Sequence, residues 1–456
     1  MVKIQKTILS RVEGEIELKL IWEKGIIKDA FIIAPNFRGF EFILEGKPIL
    51  DSLIITPRVC GICGHAHLMA TVNALENLYK NAGYNIEISK KANLIRLITL
   101  SAEIVQNHLR WFYLFVFPDL LKLETYTEDL SEYIPIKGKQ WQKAIDFSSK
   151  IVKVIAIFGG QWPHTSYSIP GGVVCDPTTF DITESISIVD SMIKYYEENI
   201  IGMKYENYLS IEDYKEFIEK SDKDLSKFLK LCFKHNLHKI GKAYNRFLTV
   251  SNIYPIFSQG ATKRKKYNFN IKKLEEIDTY SFLTKKGIDF NGKKYSWAKA
   301  VRYEGFPYET GPLARRINNK DKLFLNLLAD LKDTYIPRIW ARIDEIIKLL
   351  LAMKKWLQEI DIKEPSYIKP KKNIKELEGI AYGLCEAARG SLIHKLEVKE
   401  GKIKKYDIIT PSTWNLGPRC EKYLSPAEKA IIGLDNSLIA EMVLRSFDVC
   451  SVCTTH

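Results

Sequence analysis

The sequence lacks the long apolar runs that membrane-spanning and secreted chains carry. No segment reaches the roughly 18 uninterrupted apolar residues that a membrane-spanning helix needs. The first residues, MVKIQKTILSRVEGE, contain no apolar core of the secretory type. We therefore expect a cytoplasmic chain. Export or membrane association through a partner that carries the signal is the alternative, because it would leave no mark on this sequence.

Cysteine is scarce, with 8 in 456 residues, and its uneven spacing argues against a disulfide framework. Four cysteines form two CxxC pairs, Cys60 with Cys63 and Cys450 with Cys453. Two such pairs can together enclose a metal. A structural zinc site is one alternative, although its pairs usually lie within one small module; a redox dithiol is another, although it leaves one pair without a role. The other cysteines are predicted to be structural apolar residues: Cys175, Cys232, Cys385 and Cys420.

Acidic residues are fewer than basic ones, with 55 Asp and Glu against 68 Lys and Arg, which leaves a net charge of +13. The basic runs, such as residues 263–266, have no interleaved aromatic residues of the kind that single-strand binders use. We therefore expect no nucleic-acid binding. An acidic protein partner is the better explanation of the positive charge.

Apolar residues recur every three or four positions in two long stretches. One stripe follows Ser89 and the other runs from Ile339 to Leu357, as on helices that face a core. A capping box at Ser425 predicts a further helix, which ends near Gly433. Long helices that each bury one apolar stripe form a bundle.

Alternating apolar residues around a glycine turn predict two β-hairpins, at residues 15–33 and 396–409. Residues 205–295 are richer in Lys and Asp and poorer in motifs, which predicts a peripheral insertion. The sequence contains no internal repeat and no low-complexity linker. The expected fold is therefore mainly α with small β hairpins (α+β), one large domain over residues 1–456 that is built around a long-helix bundle.

Both cysteine pairs lie in longer motifs, RVCGICGHAH at 58–67 and RSFDVCSVCTTH at 445–456. These motifs resemble the paired signatures of nickel–iron hydrogenase large subunits. Further segments resemble that family in the same order along the chain: RVEGE (11–15), FRGFE (37–41), GGQWPHTSYSIPGGV (159–173), YSWAKAVRYEGFPYETGPLAR (295–315), EAARGSLIH (386–394) and PSTWNLGPR (411–419). The resemblance implies the large-subunit fold and the splitting of H2 into protons and electrons, in the uptake direction.

The resemblance also implies a metal centre. Cys60, Cys63, Cys450 and Cys453 would hold nickel and iron, with Cys63 and Cys453 bridging the two metals, and the iron would carry carbon monoxide and two cyanide ligands. Cys450 would accept the proton from H2, and Glu13 of the RVEGE motif would relay it outward. Glu15, two residues further on, would face the same side of an extended strand.

Other residues would surround this centre. Arg389 would project over the metals and Asp448 would orient it. Asn107 stands where many members of the family have an Asp, so we expect an altered hydrogen-bond pattern around Arg389. Ser412 would donate to one cyanide. His67, one helical turn after Cys63, would donate to a bridging sulfur.

A hard cation, usually Mg²⁺, is implied near the C-terminus, bound by Glu41, the backbone carbonyl of Ile408 and His456. The chain has no cysteines to spare for iron–sulfur clusters. We therefore expect a heterodimer with an iron–sulfur small subunit, to which further electron-acceptor subunits could attach. The alternative function is a hydrogen-sensing regulatory protein with the same metal centre and a low turnover.

Overall fold

The computed structural model of the chain describes residues 2–124, 128–253 and 256–455. Its α-helices are α1 Phe40–Leu44, α2 Ser52–Ile55, α3 Gly64–Asn81, α4 Lys90–Arg110, α5 Phe117–Leu120, α6 Glu128–Ser131, α7 Lys139–Gly159, α8 Thr179–Tyr195, α9 Tyr205–Leu209, α10 Tyr214–Lys220, α11 Asp224–Lys234, α12 Pro312–Asn318, α13 Lys322–Leu331, α14 Tyr335–Gln358, α15 Pro411–Leu416, α16 Pro426–Ile431, α17 Ser437–Arg445 and α18 Ser451–Thr454. The longest of these helices form the centre of the molecule.

Most of the strands are short, and they lie around that helical centre. They are β1 Val2–Ile8, β2 Glu17–Glu23, β3 Ile26–Ile33, β4 Ser168–Ile169, β5 Gly172–Val173, β6 Phe247–Thr249, β7 Gly260–Thr262, β8 Lys266–Tyr267, β9 Leu274–Ile277, β10 Leu283–Thr284, β11 Gly287–Ile288, β12 Ala300–Tyr303, β13 Glu309–Thr310, β14 Gly379–Ala387, β15 Gly390–Lys399 and β16 Lys402–Ile409. The larger sheets have the orders β1-β2-β3, β14-β15-β16 and β13-β6-β7-β8. The pair β13–β6 is parallel, and the other pairs of these sheets are antiparallel.

The helical bundle follows the apolar stripes of the sequence. Ser89 caps α4 by accepting a hydrogen bond from the Ala92 amide, as expected for a helix that starts there. Helix α4 packs against α7 and α14, and α14 packs against α8. The predicted long helices are therefore confirmed, as is the capping box at Ser425, which starts α16.

Both predicted hairpins are present, as β2–β3 and β15–β16. Each turn has two consecutive residues of positive φ, Lys24 and Gly25 in the first and Glu400 and Gly401 in the second. This conformation matches the twist of a two-residue hairpin and favours glycine. Each hairpin gains a third strand that was not predicted, β1 in the first sheet and β14 in the second.

The N-terminal sheet packs on the last helices of the chain. Leu18, Leu20 and Ile27 of the sheet share one apolar cluster with Ile431 of α16 and Leu444 of α17. The start of the chain is thereby fixed beside its C-terminal segment. This contact determines where the N-terminal and C-terminal motifs meet.

Helix α3 packs on the β14-β15-β16 sheet at very short range. A Cβ atom at Gly383 of β14 would lie only 1.8 Å from the Ala70 carbonyl oxygen, so this approach needs glycine. The turn between β14 and β15 therefore lies close to the start of α3.

The lysine-rich segment 205–295 contains α9 to α11 and β6 to β11. Leu225, Phe228 and Leu229 of α11 are buried in the main apolar cluster. The assignment of this segment as a peripheral insertion stays a prediction. Among the helices of the described ranges, none is long and apolar enough to cross a membrane.

Candidate metal centre

The two CxxC pairs lie at the starts of two helices. Cys60 is extended and follows a short 3-10 turn, and Cys63 directly precedes α3. Cys450 likewise directly precedes α18. A Cβ atom at Gly64 would lie 2.4 Å from the carbonyl oxygen of Pro57, so the first cysteine loop can pack here only with glycine at this position.

The four sulfur atoms of these pairs converge in the interior. The Sγ–Sγ distance is 3.9 Å for Cys60 and Cys450, 3.3 Å for Cys63 and Cys453, and 3.2 Å for Cys450 and Cys453. All four residues are at most 5% exposed. These distances exceed the roughly 2.05 Å of a disulfide bond, so the cysteines are free thiols. The structure thus brings together two pairs from opposite ends of the chain.

These thiols compete for protons. Burial opposes a charge on Cys60, but hydrogen bonds from the other three thiols hold its pKa well below the usual value. The hydrogen bond with Cys450 contributes most to raising the pKa values of Cys63 and Cys453 well above the usual range. A soft divalent metal replaces such protons when it binds, and thiolates are the ligands that such metals prefer.

Arg389 lies in the turn between β14 and β15 and is buried. Its Nε donates to the main-chain oxygen of Asp448 at 3.1 Å and also lies 3.1 Å from the Asp448 Oδ1 atom. Burial opposes the guanidinium charge, but Asp448 and the neighbouring cysteines raise the pKa of Arg389 well above its usual value. Its Nη1 atom is buried without a hydrogen-bond partner in the part of the chain that the structure describes. A cationic donor is thus held beside the sulfur atoms.

Asp448 connects Arg389 to two further side chains. Asn107 on α4 donates from Nδ2 to the Asp448 Oδ2 atom at 2.8 Å. The Nε atom of Arg342 lies 3.9 Å from the same oxygen. The structure therefore brings Asn107 and Asp448 together with Arg389, and it adds Arg342 to the set.

Glu13 lies beside the second cysteine loop. Its carbonyl oxygen accepts a hydrogen bond from the Ser451 amide at 2.8 Å, and Glu13 forms a parallel β-bridge with Cys450. Burial raises the pKa of the Glu13 carboxyl, and the positive charge of Arg389 opposes that rise. A carboxyl group with a raised pKa is suited to proton exchange closer to neutral pH.

Glu15 does not share these surroundings. Gly14 has a φ of 77°, which interrupts the extended backbone between the two glutamates. Glu15 is exposed, and Asn36 donates to its carboxylate at 3.2 Å. The expectation that Glu15 faces the same side as Glu13 is wrong, because residues 13–15 are not a regular strand.

Two more predicted residues lie close to the second cysteine loop. The Nε2 atom of His67, in the first turn of α3, is 4.0 Å from the Sγ atom of Cys453. Thr410, which caps α15, donates to the Cys453 carbonyl at 2.7 Å and so fixes the start of that helix beside the loop. Ser412 follows in α15, and its Oγ atom is buried without a partner among the described atoms. Four soft thiolates with two unsatisfied donors, Ser412 Oγ and Arg389 Nη1, fit a metal group that carries small anionic ligands.

The predicted hard-cation site is only partly within the described residues. Glu41 of α1 is buried, and its Oε1 atom accepts a hydrogen bond from the Ile408 amide at 2.7 Å. Its carboxylate therefore lies against β16. His456 lies outside the described residues, so this set of ligands stays a prediction.

Arg38 holds both cysteine loops, a role that sequence reasoning missed. Its Nη2 atom donates to the carbonyl oxygen of Val59, directly before Cys60, and to that of Val452, directly before Cys453, the latter at 2.6 Å. The FRGFE motif contains this arginine, but a motif alone does not show which backbone atoms its guanidinium reaches.

Glu103 of α4 is the second residue that was missed. Its carboxylate accepts hydrogen bonds from the amides of His65 at 2.9 Å and Ala66 at 3.0 Å, in the first turn of α3. Burial raises the pKa of Glu103 to about 8. This carboxyl satisfies amides that have no partner within their own helix and so fixes the turn that follows Cys63.

Comparison with known proteins agrees with this site. A buried set of four converging cysteine sulfurs inside a largely helical fold defines a candidate metal-binding protein. Residues 38–129 and 131–456 match the sequence model of the nickel-dependent hydrogenases. The chain belongs to the nickel-dependent hydrogenase family. The prediction of a large subunit with oxidoreductase activity on H2 is therefore confirmed.

Relatives of this chain are aligned over nearly their whole length. The periplasmic NiFeSe hydrogenase large subunit of Desulfomicrobium baculatum is 26% identical over 519 residues, which cover 100% of this chain and 95% of the relative. The uptake hydrogenase large subunit of Bradyrhizobium diazoefficiens is 26% identical over 577 residues, which cover 98% and 94%. This chain has cysteine, not selenocysteine, at all four positions of its two pairs.

Solved structures confirm the fold class. The reduced Ni-Fe-Se hydrogenase from D. vulgaris Hildenborough has a TM-score of 0.85 to this chain, with 24% identity and coverage of 100% of both chains. The H2-activated enzyme from Dm. baculatum has a TM-score of 0.82, with 23% identity and the same coverage. The predicted large-subunit fold, mainly α with small β hairpins, is correct.

The comparison also corrects one expectation. A cytoplasmic location is wrong, because the large subunit from Desulfomicrobium baculatum that matches the whole chain is periplasmic. The reason is physical. An apolar signal on one subunit can direct the export of a folded complex, so the sequence of the other subunit does not determine its location.

Proposed function

We propose that this chain splits H2 at a nickel–iron centre, works in the uptake direction and passes electrons to an iron–sulfur small subunit. The observation that carries the proposal is the convergence of four buried sulfur atoms from two distant CxxC pairs. The relative from Bradyrhizobium diazoefficiens, named an uptake hydrogenase large subunit, supports the direction.

Cys60, Cys63, Cys450 and Cys453 would hold the two metals, with carbon monoxide and two cyanides on the iron. Cys63 and Cys453 would be the ligands shared by nickel and iron, and their sulfur atoms lie 3.3 Å apart. When bound, this centre supplies a Lewis acid that polarises H2 so that the molecule separates into unlike charges.

Arg389, Asp448, Asn107 and Ser412 would shape the space beside the metals. Arg389 presents its free Nη1–H there, and Asp448 with Asn107 prevents the guanidinium from turning away. Ser412 would donate a hydrogen bond from its hydroxyl group to a cyanide nitrogen. Donors that are oriented in advance act strongly here, because the site is buried and water does not screen them.

The proton would leave through Cys450 and Glu13. The Cys450 sulfur accepts it first, and the Glu13 carboxylate then carries it toward solvent. The backbone bridge between these two residues keeps them adjacent, and the partial burial of Glu13 brings its proton affinity closer to neutral pH. A carboxyl group in such a position can move protons in both directions.

Electrons need a partner. Within the described ranges, one group of at least three side chains lies close enough together to bind a metal ion, and its members are Cys60, Cys63 and Cys453. An iron–sulfur small subunit would take up the electrons, and further acceptor subunits could follow.

A separate site would hold Mg²⁺ or a similar hard cation near the C-terminus. Its ligands would be Glu41, the carbonyl of Ile408 and His456.

Metal analysis tests this function. Protein purified without oxygen should contain about one nickel and one iron per chain, and its infrared spectrum should show carbonyl and cyanide stretches. Zinc alone, or nickel without these bands, contradicts the proposal. The rate of H2 oxidation then separates an enzyme from a hydrogen-sensing protein, which would load the same metals but turn over slowly.

A further inference from the structure

A chain of buried polar side chains leads away from the metal centre. The Nδ1 atom of His67 lies 3.0 Å from the Nε2 atom of His394. The Nδ1 atom of His394 lies 2.8 Å from the Tyr406 hydroxyl and 3.1 Å from the Thr71 hydroxyl. All four residues are at most 1% exposed. Burial of an unpaired polar group costs free energy, so these four side chains are held in positions where they form hydrogen bonds.

The arrangement follows from the packing of α3 on the C-terminal sheet. His67 and Thr71 are one helical turn apart on α3. His394 lies on β15, and Tyr406 lies on the neighbouring strand β16, opposite a residue two positions after His394. The four side chains therefore meet in the interface between the helix and the sheet.

The sulfur of Cys453 determines the direction of the hydrogen bonds. A metal-bound thiolate can only accept, so the Nε2 atom of His67, 4.0 Å away, must carry a proton to pair with it. In a neutral imidazole the other nitrogen, Nδ1, then accepts from His394, whose Nε2 must carry the proton. The Nδ1 atom of His394 must in turn accept from a hydroxyl group. Tyr406 keeps its proton for this bond, because burial raises its pKa above the usual value.

We propose that His394 and Tyr406 are positioning residues that fix the tautomer of His67 and so hold an N–H donor against the bridging sulfur of Cys453. This inference rests on the proposed nickel–iron function. A donor at the sulfur would withdraw charge from the thiolate and so would change the electron density on the metals that it binds. The hydroxyl group of Thr71 can also donate to the Nδ1 atom of His394, 3.1 Å away, if Tyr406 is replaced.

Substitutions at His394 test the proposal in the complex with its partner subunit. His394→Leu removes the donor to His67. His394→Gln places an amide N–H near the original Nε2 position and should restore the bond. The matched control is Tyr196→Phe, which removes a buried hydroxyl that donates to the Ile343 carbonyl at 3.0 Å, in another part of the core.

The measurements are nickel and iron content, the infrared stretches of the iron ligands, and the nitrogen hyperfine coupling of His67 in a paramagnetic nickel state. We expect His394→Leu to load both metals, to shift the carbonyl stretch and to change the nitrogen coupling. Its H2 oxidation should fall by about 10–100-fold, as for other residues that orient metal ligands. His394→Gln should return the carbonyl stretch, the nitrogen coupling and the rate of H2 oxidation toward the wild-type values. Tyr196→Phe should leave these three quantities unchanged.

A second variant keeps the test decisive if His394→Leu does not fold. Tyr406→Phe combined with Thr71→Val removes both hydroxyl donors and leaves both histidines in place. The same spectral shift is expected from this double variant, and a smaller shift from Tyr406→Phe alone. Metal-loaded variants with wild-type spectra would overturn the positioning role while the proposed function stands. A wild-type complex without nickel and iron would overturn both.

Discussion

Replacing Glu13 by glutamine tests the proton route most directly. Glutamine keeps the shape of the side chain and one oxygen acceptor, but it cannot carry a proton at neutral pH. The hydrogen bond from Ser451 to Glu13 uses the backbone oxygen, so the substitution leaves it intact. Nickel and iron should therefore load normally, and the infrared bands should persist.

The size of the effect follows from the position of Glu13. A positioned proton-transfer group contributes about 10²–10⁴-fold to a rate, which is about 3–5 kcal/mol in the barrier. Glu13 is only partly buried, so water can reach the same region and replace part of its function. We therefore expect the lower end of that range, a loss of about 100-fold.

The pH dependence has a definite sign. In H2 oxidation Glu13 must begin without a proton, so activity falls as the pH drops below its pKa. Burial raises the pKa of Glu13, which moves this acid limb above the usual value of about 4.3. The glutamine variant should lose the limb and show a low rate at all these pH values.

Hydrogen–deuterium exchange is the decisive assay, because it needs proton movement but no electron exit through the partner. The matched control is Glu15→Gln, the same change two residues away, on a side chain that is exposed and bonded to Asn36. Exchange should fall in Glu13→Gln and stay at the wild-type rate in Glu15→Gln. Normal exchange in a metal-loaded Glu13→Gln variant would mean that protons leave by another route.

Two further substitutions test the residues around the metals. Arg389→Lys keeps the charge but loses the planar donor that Asp448 holds. Metal content should stay the same, while H2 oxidation falls by about 10–100-fold, which corresponds to one charged hydrogen bond of about 1.5–3 kcal/mol. A normal rate would contradict the role of Arg389. Arg38→Ala removes the donor to both cysteine loops. Metal retention during dialysis against a chelator should therefore fall by about 10-fold. The control is Arg58→Ala, which removes an exposed arginine bonded to Ile54 and should retain metal normally. Equal retention in both arginine variants would show that the two loops do not depend on Arg38.

The parts of the fold that the sequence predicts are those with local signals. The apolar stripe after Ser89 and the glycine turns at Gly25 and Gly401 act within a few residues, and each gave the correct element. Strand β1 was not predicted, and its apolar residues Val2 and Ile4 are exposed, so burial of these side chains does not fix the strand. The pairing of β13 with β6 joins segments about sixty residues apart, which no local pattern reveals.

The residues of the candidate metal centre likewise fall into those with a local sequence signal and those without one. The two CxxC pairs were recognised from their own spacing, and their neighbours from motifs. Glu103 and His394 were missed because their partners, His65 and His67, lie 38 and 327 residues away in sequence. Glu103 also lies within the stripe region of α4, where a helical pattern predicts burial but not which amides a carboxyl group will meet.

The contacts of the second cysteine loop explain why a site with ligands from both ends of the chain is stable. The loop is held by the backbone of Glu13, by the guanidinium of Arg38 and by the hydroxyl of Thr410, three groups from three different segments. Two of these bonds, the one to Glu13 and the one from Arg38, join the N-terminal part of the chain to its C-terminal segment. The geometry of the four sulfur atoms therefore depends on the closure of the whole fold. Because a metal binds only that closed geometry, its binding energy also stabilises the contact between the two ends of the chain.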